Sequence, residues 1–160
     1  MSQRLVLQSI IATGAIVFFG FYKLSGCFDR TPASGLPTVK MQIGNKSFEL
    51  EVANTEDARH TGLMQRDSMP SDHGMIFTFH DERGWSFYMK NTRIPLDIIF
   101  ADANGRVVSI QQMKPYDLTT ISPEVPVKYA IELNKGAAAK AGAKVGDKLS
   151  IPNSAKEAKE

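Results

Sequence analysis

The sequence predicts a mainly β domain, a compact antiparallel sandwich or barrel with one or two short helices. Three observations carry that expectation. Apolar residues recur with period two over several short runs. Gly, Asn, Asp and Pro punctuate the runs, and the only helix-like stretches are brief.

Along the chain, Val39, Met41 and Ile43 alternate with polar residues, Gly44-Asn45 offers a turn, and Phe48, Leu50 and Val52 alternate again, which is a hairpin pattern. Asn54 or Thr55 is placed to cap a helix running through Met64, with Glu56 and Asp57 favourable in its first turn. Strands are expected at Met75 to Phe79, Trp85 to Met89 and Leu96 to Phe100. Asp102 to Gly105 then turns the chain into a return strand, Arg106 to Gln111. Tyr129 to Leu133 reads as another strand. Asn134 is placed to cap a short alanine-rich helix ending at Gly142, and Asp147 to Ile151 closes the set. The organisation this implies is one domain over residues 38–152, followed by a charged tail, 153–160.

The first 26 residues differ in kind. Arg4 precedes a mostly apolar run from Leu5 to Tyr22, and Leu24-Ser25-Gly26-Cys27 matches the lipobox of bacterial lipoproteins. The run is close to the about 20 apolar residues that a membrane-spanning helix needs, and also resembles a signal peptide. Residues 1–26 are thus a signal peptide or an uncleaved signal anchor, with Cys27 the candidate lipidation site and 27–37 a tether. Either reading exports the rest of the chain and ties it to a membrane in the cell envelope, on the extracytoplasmic side.

Charge and cysteine usage narrow the function. The formal charge is +2, from 19 Lys and Arg against 17 Asp and Glu. Arg4 and Lys23 lie before Cys27 where there is no acid, so the remainder is formally neutral and offers no basic excess for nucleic acid. One cysteine excludes an intrachain disulfide, so the domain must rest on its core. His73 and His80 flank one strand and would stand over 20 Å apart at about 3.3 Å per residue, so no metal site is expected. No phosphate loop, dinucleotide fingerprint or nucleophile motif is present, and no cofactor is expected.

The densest polar segment lies around residues 85–100. On a strand, Trp85, Phe87 and Met89 would share a core-facing side, with Ser86, Tyr88 and Lys90 on the other. Pro95 breaks the ladder, making Asn91 to Ile94 a loop. Asp97 opens an apolar run; a buried carboxylate there needs a partner such as Lys90, Arg66 or a backbone amide. Glu132 interrupts Tyr129 to Leu133 in the same way, with solvation the default expectation. Should the two carboxyls share a pocket, they become acid/base candidates.

These residues resemble the domain of unknown function 192 family. The resemblance runs through Gly62-Leu-Met-Gln-Arg66, Gly74-Met75, Phe77 and Phe79. It continues through Phe87-Tyr-Met-Lys-Asn-Thr92, Pro95-Leu-Asp-Ile-Ile-Phe100, Gly105, Glu132-Leu133, Gly136 and Gly146-Asp147. The family position held here by Tyr88 is commonly Trp. The resemblance implies a mainly β, jelly-roll-like domain, often exported, with no established activity. Two functions follow as expectations. One is a membrane-tethered module binding a ligand or envelope partner at a rim of Arg66, Tyr88, Lys90, Asn91, Thr92 and Asp97. The alternative is a hydrolase or lyase using Asp97 and Glu132 as acid and base beside Lys90.

Overall fold

In the computed structural model, which describes residues 34–159, six strands join a single mixed sheet. The elements are β1 (Thr38–Ile43), β2 (Lys46–Ala53), α1 (Glu56–Thr61), β3 (His73–Arg83), β4 (Leu96–Ala101), β5 (Val107–Met113), β6 (Val127–Asn134) and α2 (Ala137–Lys140). Their order across the sheet is β1-β2-β3-β6-β4-β5. The fold is mainly β with two short helices, as expected. The residues before Ser34, including Cys27 and the segment 1–26, lie outside the described part.

The first hairpin follows directly from the sequence. Val39, Met41 and Ile43 are buried, and Gly44-Asn45 turns the chain so that Ile43 pairs with Lys46. Thr55 caps α1 by accepting a hydrogen bond from the Ala58 amide at 3.2 Å.

One pairing departs from the antiparallel expectation. β2 and β3 run parallel, because residues 54–72, carrying α1, are long enough to cross over the sheet and return. β6 then enters antiparallel between β3 and β4, so a strand late in the chain occupies the middle of the sheet.

Both faces of the sheet are covered. On the first face lie Ile43, Leu50, Ile76, Ile99, Ile131 and Leu133, roofed by α2 and by Leu149, Ile151 and Ala155. The second face carries Met75, Phe77, Phe79, Ile98, Phe100 and Ala130, roofed by Ala58, Leu63, Met89 and Ile94. The central strands are therefore buried on both sides, and β4 loses all polar alternation.

Three local expectations are corrected. Trp85 to Met89 forms no strand; it is an extended segment with one bridge, Phe87 to Ile121, because β3, β6 and β4 already take one another's edges. The alternation survives without a ladder: Met89 is buried and Trp85 and Phe87 half-buried, while Ser86, Tyr88 and Lys90 are exposed. Asp147 to Ile151 likewise makes only the Arg106–Lys148 bridge. Asn134 does not cap α2. Its amide donates to the carbonyls of Met69 and Pro70 at 3.0 and 2.9 Å, and left-handed Gly136 starts the helix.

Candidate functional site

Sheet register decides which sequence-predicted residues meet. Across the second face, Glu51 of β2 pairs with Met75 of β3, Met75 with Glu132 of β6, and Glu132 with Ile98 of β4. Paired residues share a face, so Glu51 and Glu132 flank Met75 on the same side. Asp97 pairs with Leu133, the residue after Glu132, and therefore points to the opposite face. The two carboxyls considered as an acid/base pair are separated by the sheet itself. That arrangement leaves no shared cleft and removes the geometry the hydrolase or lyase mechanism requires.

Asp97 has a different task. It is 2% exposed, and one carboxylate oxygen accepts a hydrogen bond at 3.0 Å from the amide of Ala138 in α2. β4 thus supplies the N-terminal cap that α2 lacks in its own sequence. Its other oxygen has no hydrogen-bond partner among the described residues.

Glu132 lies on the floor of a cleft of about 470 Å³ between α1, the end of β3 and the segment 85–88. It is only 6% exposed, so the solvated expectation is corrected: the strand on each side of β6 and the cover of the second face leave it little contact with solvent. Burial pushes its carboxyl up to about 8, with the charge of Arg66 offsetting part of that rise. At neutral pH the group is therefore a neutral acid able to donate a hydrogen bond.

Arg66 cannot neutralise it because Glu51 engages that guanidinium. The two form a bidentate pair at 2.5 and 2.8 Å, and Ser34 adds a hydroxyl hydrogen bond to the same carboxylate. Burial would raise Glu51, but Arg66 and Ser34 outweigh it and hold the carboxyl below its ordinary value. One cation serves two acids, and the one without hydrogen bonds keeps its proton.

The cleft wall is aromatic. Phe79 stacks on Trp85 with centroids 3.9 Å apart and planes 14° from parallel. The Arg83 guanidinium stands 3.7 Å from the Trp85 centroid. Both neighbours approach that ring too closely to share a face, so they sandwich it. Arg59 of α1 lies 5.7 Å from the Phe79 centroid and donates to the Thr78 carbonyl at 3.1 Å. Phe87 meets Phe77 edge-on at 5.2 Å, closing the inner wall.

Of the expected rim, Tyr88 and Thr92 line this cleft, Tyr88 exposed and Thr92 buried. Arg66 acts on the floor electrostatically. Lys90 and Asn91 are exposed and lie outside the cleft; Asn91 takes a left-handed conformation and its carbonyl accepts from the Gln65 amide at 2.8 Å. Sequence reasoning missed Arg59, Arg83 and Glu51. Trp85 and Phe87, expected in the core, do pack against it while half-buried, and they also line the cleft. The available signal was two period-two aromatic runs, Phe77-Phe79 and Trp85-Phe87, which meet in space.

No described group of three or more His, Cys, Asp or Glu residues is placed to hold a metal ion. The described residues contain no helix long and apolar enough to cross a membrane.

Solved structures similar to this chain include the following two. One, from Sinorhizobium meliloti 1021 and described as a "putative transcription regulator", is 33% identical, with a TM-score of 0.66 over 71% of this chain and 91% of that one. The other, a protein of unknown function from Novosphingobium aromaticivorans DSM 12444, is 36% identical, with a TM-score of 0.66 over 75% and 89%. No curated protein matches. The profile of DUF192, described as "Uncharacterized ACR", matches residues 39–151, and the chain belongs to that family.

Proposed function

We propose that this domain is a small-ligand-binding module, with the cleft above Glu132 as its site. The observation carrying this reading is a buried carboxyl without hydrogen bond or ion pair among the described residues, on the floor of a concave aromatic wall. Binding sites combine that kind of largely apolar lining with a few convergent polar groups. Phe77, Phe87 and the Phe79–Trp85 stack provide flat apolar contact, while Glu132 and Thr92 provide polar contacts. The acid/base reading that pairs Glu132 with Asp97 loses its support, because Asp97 is on the far side of the sheet.

Trp85 is the chain's single tryptophan and forms part of the wall, so its emission reports occupancy directly. Titration with small aromatic fragments is expected to change that emission saturably, and Phe87→Ala to weaken the response at least tenfold. Fragments that bind elsewhere, leaving Trp85 and the Glu132 carboxyl resonance unmoved, would count against the site.

The module is proposed to work on the extracytoplasmic side of a membrane, held by residues 1–26 or by lipid on Cys27. The support is the lipobox spacing and the confinement of the basic excess to the segment before it. A fatty-acid analogue fed to cells is expected to label the wild type and not Cys27→Ser. Equal labelling removes the lipid anchor and leaves the helix.

A further inference from the structure

Resting on the ligand-binding reading of this cleft, we infer that its ligand is a hydrogen-bond acceptor, a carbonyl or carboxylate carried on a flat apolar body, and not an amine. The geometry of the aromatic wall argues against the opposite choice. An aromatic cleft with an unpaired acid at its base would ordinarily invite an organic cation. Here the protein's own guanidiniums already occupy that role: Arg83 stacks on Trp85 and Arg59 approaches Phe79. A ligand cation would find those ring faces already taken. Arg66, which acts on Glu132 through its charge, is committed to Glu51 through two hydrogen bonds and offsets the burial of Glu132 only in part.

A buried acid compensated only in part settles its own charge by keeping its proton, and then presents an O–H to whatever occupies the cleft. Among the other titratable groups around it, α1 brings Glu56, Arg59 and His60 and the end of β3 brings His80, Asp81 and Arg83. The two acids at this mouth balance the two guanidiniums, so no net field repels an anion. A carboxylate or carbonyl therefore gains a hydrogen bond at the floor and apolar contact along the Phe77–Phe87 wall. Its tail lies near the guanidiniums.

The consequence is a pH dependence that belongs to the protein. Glu132 is pushed up to about 8, so acceptor binding requires a form that is depleted above that pH. For a ligand binding only the protonated form, affinity falls with the competent fraction, about tenfold between pH 7 and pH 9.

The test titrates the full chain with benzoate, benzamide and benzylamine, read by Trp85 emission and by the Glu132 carboxyl resonance. Benzoate and benzamide are expected to bind at millimolar concentration or better, and to weaken about tenfold from pH 7 to pH 9. Benzoate keeps its charge over that range, so its own titration does not contribute. Glu132→Gln, whose amide still donates, is expected to keep benzamide binding with a flat pH profile. Glu132→Leu keeps an apolar floor and should lose acceptor binding without losing the fold. Benzylamine binding that strengthens as pH rises would overturn the acceptor assignment while leaving the cleft a ligand site. A response to none of the three probes, with the fold intact, would overturn both.

Discussion

Glu132 is a largely buried acid at the base of a cleft, with no ion-pair partner among the described residues, and its chemistry follows from that position. Its carboxyl moves from an ordinary 4.5 to about 8 on folding, through burial first. Between those values the folded chain holds a proton that the unfolded chain releases, so stability falls as pH rises across the window and levels off above about 8. Replacing Glu132 by Gln removes this penalty. Urea unfolding at a series of pH values is expected to show the variant gaining on the wild type, by on the order of 4 kcal/mol between pH 4 and pH 9. Arg66 illustrates the complementary case. Its removal in Arg66→Met leaves Glu51 buried and unpaired, an expected loss of about 3–5 kcal/mol. Adding Glu51→Gln should recover part of that loss, because the uncompensated charge is gone. The sequence marked Glu132 as unusual, a charge inside an apolar run, but its alternation pointed toward solvent. Alternation identifies a face without saying whether that face is covered. Covering it took α1 and the segment 85–94, which are distant in sequence.

At the scale of elements, short-range signals were read well wherever the partner was a near neighbour. Thr55 capping α1 and Gly44-Asn45 turning β1 into β2 both rest on contacts within a few residues. Gly44 has a second constraint invisible at that range: it has φ of +56°, and a Cβ there would collide with the Ala141 carbonyl oxygen. Gly44→Ala is expected to lower stability by more than about 1 kcal/mol, measured by thermal unfolding. The cap of α2 was misread for a similar reason. Asn134 is next to the helix and has the right chemistry, but its amide is used by Met69 and Pro70; Asp97, remote in sequence, accepts from Ala138 instead. Asp97→Ala should cost about 1–3 kcal/mol in a urea titration, with the Ala138 amide losing its exchange protection. Cleft occupancy in the same variant should be unchanged, since Asp97 lies on the other face.

Across the whole molecule, β6 organises the domain. It pairs with β3 on one side and β4 on the other, and its residues enter both cores. Native-state hydrogen exchange is expected to place the most protected amides in β3, β6 and β4, with β1 and β5 opening at lower free energy because each pairs with only one of the six described strands. The mainly β class, the strand positions flanking each tight turn, the start of the first helix (which ends at Thr61, short of the expected Met64) and the neutral charge of the chain after Cys27 were determined by the sequence alone. Each is a local property: a period, a turn residue, a cap or a sum of charges. The parallel β2–β3 pairing, the insertion of β6, the separation of Asp97 from Glu132 and the assembly of the cleft were decided only by the tertiary structure. Each depends on which distant segments share an edge or a face. In a sheet with side-chain period two, that long-range register determines whether neighbouring residues such as Glu132 and Leu133 meet a ligand cleft or a helix on opposite sides.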